Sequence, residues 1–130
     1  MPWQPEDADR ARDLIRHENE LMNHRLTWLA TLHGFLFAAL GFAWTDGRSI
    51  VPILAILGVC TSVSMLIPLF FSDRAIRDVV KEWDANKPED YNGPDIIGVR
   101  PMNLLAHIFL PWLLLPTLLA GAWIVIWIVA

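Results

Sequence analysis

Three stretches of this chain contain no Asp, Glu, Lys or Arg: residues 26–45, 49–72 and 101–130. Each is at least as long as the ~20 residues a helix needs to cross ~30 Å of hydrocarbon. A chain of 130 residues has room for one domain. A soluble domain of that size has no core large enough to hide three such stretches. They predict an all-α fold, a polytopic integral membrane protein with transmembrane helices at 26–45, 49–71 and 103–129. Hydrophobic residues make up 55% of the chain, and the mean hydropathy is +0.40, both above the level of an ordinary soluble domain.

The basic residues set the expected orientation, because positive charge stays on the cytoplasmic side. Arg10, Arg12, Arg16 and Arg25 precede the first span. Arg74, Arg77, Lys81, Lys87 and Arg100 follow the second, and Arg48 alone occupies the turn between the first and second. This asymmetry predicts a cytoplasmic N-terminus, a cytoplasmic connection over 72–102 and a C-terminus outside. The first 25 residues mix acids and bases ahead of any apolar run, so no cleavable signal peptide is expected. Trp28 and Trp44 bracket the first span ~24 Å apart, matching the two interfacial belts. Trp123 and Trp127 are expected to serve the outer belt, and Trp112 to pack on protein or face lipid.

Residues 1–25 read as an amphipathic helix. Ala8, Ala11, Leu14, Ile15, Leu21 and Met22 recur at helical spacing. Neither Gly nor Pro separates them from the first span, so one helix from Pro5 to about Ala43 is predicted, ~58 Å long. In the connection, Ser72 can cap a short helix over 73–86, with Asp73 favourable in its first turn. Ile76, Val79, Val80 and Trp83 form its apolar stripe. Pro88, Gly93 and Pro94 then break any helix.

Candidate functional residues lie on helix faces. His17, Glu20, His24, Thr27, Thr31, Gly34, Ala38 and Gly41 follow one another at steps of three or four. Small residues permit close helix approach, and hydroxyls and imidazoles can line a polar path; the face is read as a pore or packing face. Asn103, His107, Thr117 and Gly121 form a parallel face in the third span. Glu18 and Arg25 share the apolar stripe of the N-terminal helix, where they would form charged rings at the cytoplasmic mouth of a bundle or pair as salt bridges. His33 and His107 are the intramembrane ionisable residues, each able to sit neutral with a hydrogen bond to a helix carbonyl. In the second span, Ala55, Gly58 and Ser62 share a close-packing side. His17, Glu20 and His24 have a spacing that places them on one face, but they match neither Glu-x-x-His pairs nor His-Glu-x-x-His. No metal and no cofactor are expected.

Cys60 is the only cysteine and reads as a packing residue. There is no Gly-rich phosphate loop, no Gly-x-Ser-x-Gly and no basic stripe for nucleic acid. An enzyme is not expected. The run from His17 to Trp28, with Glu18, Asn23, Arg25 and Trp28 in a Glu-x-x-x-x-Asn-x-Arg-x-x-Trp pattern continuing to Gly34-Phe35-Leu36-Phe37, resembles the start of small bacterial membrane proteins of unassigned function. That resemblance implies a bacterial inner-membrane location and no particular activity. A looser similarity is to two-helix pore-forming effectors of bacterial immunity, from which the third span departs. The reading that follows is an oligomeric pore or channel-like protein, a homo-oligomer in the lipid bilayer. The alternative is an accessory or scaffolding subunit bound to a membrane-protein partner.

Overall fold

The computed structural model describes residues 3–97 and 109–130. Helix α1 spans Pro5–Asp46 without interruption, 42 residues or ~63 Å. Its start is capped reciprocally. Asp7 accepts the Gln4 N–H at 2.8 Å, and the Asp7 N–H donates to the Gln4 carbonyl at 2.9 Å, satisfying donors that a helix start leaves open. Ion pairs Asp7–Arg10, Asp9–Arg12 and Asp13–Arg16 run along the polar portion at i,i+3, a spacing that favours the helix although such exposed pairs add little. The helix ends where the Gly47 N–H meets the Ala43 carbonyl, and a 3₁₀ turn over Arg48–Ile50 reverses the chain.

Helix α2 covers Val51–Asn86, 36 residues. The sequence predicts two helices here, one ending at 71 and another capped by Ser72. The chain instead passes through Ser72 and Asp73 as helix. A capping side chain acts only where the backbone has left helical geometry, and nothing between Pro68 and Asn86 makes it leave. Pro68 lies inside the helix and Pro52 in its first turn, where the missing N–H is not needed. The helix stops at Lys87, which precedes Pro88 and adopts φ −60° and ψ 140°, as a residue before proline favours.

Helix α3 covers Pro111–Val129, 19 residues. The predicted start of this span at 103 lies outside the described residues, as do Asn103 and His107. The described residues are thus helical apart from turns and the segment 87–97, and α1, α2 and α3 are each long and apolar enough to cross a membrane.

Helix α2 is the shared partner. It packs antiparallel to α1 along its full length, from Trp3 N–H on the Asn86 carbonyl at 3.2 Å to the turn at Gly47. It packs antiparallel to α3 as well, with Trp112 beside Asp73 and Trp123 beside Gly58. At the polar end, Ala8, Ala11, Ile15 and Met22 of α1 meet Leu69, Ile76, Val80 and Trp83 of α2. Ile96 from the following segment closes that core. Trp83 is fully buried, edge-on to Trp3 at 5.7 Å and to Tyr91 at 4.9 Å between ring centres. Such edge-to-face pairs add ~0.5–1.5 kcal/mol each beyond area burial.

Candidate functional site

The three helices meet at His33. Its ring is 2% exposed. Nδ1 lies 2.9 Å from the Leu29 carbonyl one turn back, and Nε2 lies 3.0 Å from Ser62 Oγ and 3.3 Å from the Gly58 carbonyl. A carbonyl only accepts, so the Leu29 contact requires a proton on Nδ1. The Ser62 hydroxyl donates to the Gly58 carbonyl at 2.8 Å and stands 3.0 Å from Nε2, so ring, hydroxyl and carbonyl form one buried polar cluster between α1 and α2.

Trp123 forms the wall contributed by α3. It is fully buried, stacked on Phe37 at 4.8 Å with planes 8° apart, and 6.3 Å from His33 between ring centres. This corrects the expectation of an interfacial Trp123. The ring fits because Gly58 presents no side chain to it; an added Cβ would fall under 3.0 Å from three ring atoms. Trp127, one turn on, is exposed. The Trp123 indole N–H is buried and has no acceptor among the described residues. Ala55, Gly58 and Ser62 are all buried, so the small side of α2 is a packing side.

One layer outward, two charged groups tie the helices. Asp73 is 1% exposed; Oδ1 accepts the Trp112 indole N–H at 3.2 Å, and Oδ2 pairs with Arg77 Nη2 at 3.0 Å. This is the protein partner for Trp112 that the sequence left open. Arg25 donates from Nη1 to Ser72 Oγ at 2.6 Å and to the Pro68 carbonyl at 3.4 Å. Farther out, Arg12 donates to Tyr91 Oη at 2.6 Å and to the Pro94 carbonyl, pinning 87–97 onto α1. The bond to the Tyr91 hydroxyl raises the Arg12 guanidinium above its ordinary range.

The predicted face of α1 is in a different place. His17, Glu20, His24, Thr27, Thr31, Gly34, Ala38 and Gly41 are all exposed. At ~100° per residue they centre opposite the side carrying Leu29 and His33. Thr27 and Thr31 donate to the carbonyls of Asn23 and Thr27, both at 2.9 Å, the local bond hydroxyls make within helices. On α3, Thr117 is exposed and donates to the Leu113 carbonyl at 2.7 Å; Gly121 is exposed too. Glu18 and Arg25 lie on the inner side of α1, against α2, rather than on the seam. Among the described residues, no three His, Cys, Asp or Glu side chains gather as a metal site.

Asp73 was singled out from the sequence only as a helix-start residue, and the Arg12–Tyr91 clamp not at all. The signal for Asp73 was its position as the first charge after an apolar run, with Arg77 four residues on. Tyr91 offered none, since its partner is remote in the chain. Comparison with protein-family models, with curated proteins and with solved structures finds no match.

Proposed function

We propose that this chain spans a bacterial inner membrane three times, N-terminus inside, and works as a channel-like homo-oligomer. Copies meet around the outer face of α1. The observation that carries this reading is the two-sidedness of that helix. Its inner side is filled by α2, while the opposite side presents Thr27, Thr31, Gly34, Ala38 and Gly41 and continues into the polar portion as His24, Glu20 and His17. A helix that met only lipid on that side would favour large apolar residues; small and hydroxylated ones favour a neighbouring helix or water. Phe35 and Phe42, each at least 70% exposed, stand beside the seam and suit lipid contact.

The test is reconstitution of the purified protein into liposomes, with oligomer mass and ion flux measured together. Gly34→Leu with Ala38→Leu is expected to dissociate the oligomer and abolish flux, and Thr31→Leu to reduce flux while leaving the oligomer intact. A monomer in every detergent and lipid tested would overturn the proposal.

A second reading is favoured by one observation: Thr27 and Thr31 already spend their hydroxyl protons on their own helix. A seam of that kind can pack without conducting, as in a scaffolding subunit. An oligomer without flux, still disrupted by the Gly34 and Ala38 variants, would select this alternative.

A further inference from the structure

Glu18 and Arg25 line one cleft of about 460 Å³ with Ile67, Pro68, Phe71 and Ser72. It lies between α1 and α2 where the charge-free run of α1 begins. Both charged side chains are half-buried, yet neither has an ion-pair partner among the described residues. Arg25 uses Nη1 alone, on Ser72 and the Pro68 carbonyl. A guanidinium carries five N–H donors, so Nη2 and Nε remain. Two opposite charges share a cleft and do not neutralise each other.

Their order along the helix identifies what would neutralise both. Arg25 immediately precedes the apolar run, and Glu18 lies two turns farther out, ~10.5 Å along the axis. Helix side chains lean toward the N-terminus, so Arg25 reaches outward toward Glu18. Cation at the membrane edge and anion beyond it is the reverse of a zwitterionic phospholipid, whose phosphate adjoins the glycerol and whose ammonium is terminal. Ile67 and Phe71, 57% and 62% exposed, give the cleft an apolar rim for the chain below the headgroup.

We propose that this cleft is a binding site for a membrane phospholipid with a primary-ammonium headgroup, phosphatidylethanolamine. Arg25 Nη2 and Nε hold the phosphate, an anion whose geometry suits paired guanidinium donors. Glu18 accepts from the ammonium. A primary ammonium has three N–H donors; the quaternary ammonium of phosphatidylcholine has none, and phosphatidylglycerol has no cation for Glu18. The cleft size falls within the ~300–1,000 Å³ of ordinary ligand sites.

The inference rests on the membrane reading above but not on oligomerisation or flux. Full-length protein is incorporated into nanodiscs holding equal parts of the ethanolamine, choline and glycerol phospholipids. Lipids retained after partial delipidation are then counted by native mass spectrometry. The wild type is expected to keep the ethanolamine lipid about tenfold over either competitor, the value of roughly one charge-assisted hydrogen bond. Glu18→Gln is expected to erase that preference, and Glu18→Lys to invert it toward the glycerol lipid; unchanged circular dichroism confirms that both fold. Soluble glycerophosphoethanolamine added in excess is expected to displace little, because it lacks the chains. An unchanged lipid order in both Glu18 variants would overturn the site, as would equal retention of ethanolamine and choline lipids by the wild type. Failure of the wild type to enter nanodiscs or resist alkaline extraction would overturn the membrane reading itself, and the site with it.

Discussion

Replacing Gly58 by alanine tests the three-helix junction at its tightest point. The new Cβ would fall under 3.0 Å from three atoms of the Trp123 ring, whereas carbons in contact sit ~3.5–4.0 Å apart. Either α2 and α3 separate by roughly 1–1.5 Å to restore ordinary contact, or the indole leaves its place against Phe37. Overpacking of this kind costs ~1–3 kcal/mol, and a lost aromatic stack ~0.5–1.5 kcal/mol. Alanine's better helix propensity returns up to ~1 kcal/mol. The net expectation is a loss of about 1–3 kcal/mol, read as a lower midpoint in a mixed-micelle denaturant titration followed by circular dichroism. Gly121→Ala is the control. A Cβ there meets nothing within 4 Å, so propensity acts alone and the midpoint should hold or rise. Trp123→Leu is destabilising by itself, yet the double variant Gly58→Ala with Trp123→Leu should lose less than the sum of the single losses, by about 1 kcal/mol or more. A Gly58→Ala protein as stable as wild type, or strictly additive single losses, would refute the packing argument.

Three other perturbations follow from the buried polar contacts. Asp73→Ala strands the Arg77 guanidinium and the Trp112 N–H, and should cost about 3–5 kcal/mol in the same titration; Asp73→Asn keeps an acceptor for Trp112 and should cost less. His33→Leu removes the contacts to Leu29, Ser62 and Gly58, with an expected loss of ~1–3 kcal/mol, and Ser62→Ala should lose less because the ring keeps the Leu29 carbonyl. Tyr91→Phe removes the hydroxyl that meets Arg12, so amide exchange in 87–97 should accelerate while α3 exchanges as before. Equal exchange in that segment would show that the Tyr91 hydroxyl does not hold it.

The three apolar helices were legible because charge is costly inside an apolar layer, so a charge-free run of ~20 residues marks a helix built for one. The continuity of α1 was legible for a local reason as well, since no residue between Pro5 and Leu26 breaks a helix. The continuity of α2 was not. Ser72 followed by Asp73 is a good helix start, and in the fold these side chains serve other helices: Ser72 accepts from Arg25 and Asp73 from Trp112. A helix-start signal and a tertiary acceptor use the same atoms, and sequence cannot tell them apart. Trp123 failed differently. The belt rule concerns tryptophans that meet the interface, and Trp123 is turned inward by a glycine on another helix. A bond from His33 to its own helix was legible from the sequence, but its second partner, Ser62, is set by the register between α1 and α2. Of the predicted face, the grouping of Thr27, Thr31, Gly34 and Ala38 was legible from spacing, while its outward direction depended on which side of α1 received α2.

Pro68 gives the molecule unequal mechanics. Helix α1 has no proline after its first turn and behaves as a strut. Helix α2 lacks the N–H that would have closed its turn at Pro68, and bends there more readily than elsewhere. Trp83 lies ~22 Å beyond that joint, so a bend of about 10° would swing the aromatic end by about 4 Å. Arg25, rooted in the strut, holds the joint itself through the Pro68 carbonyl and Ser72. Whatever competes for that guanidinium therefore acts at the elbow of the articulated arm, where a small force has its longest reach.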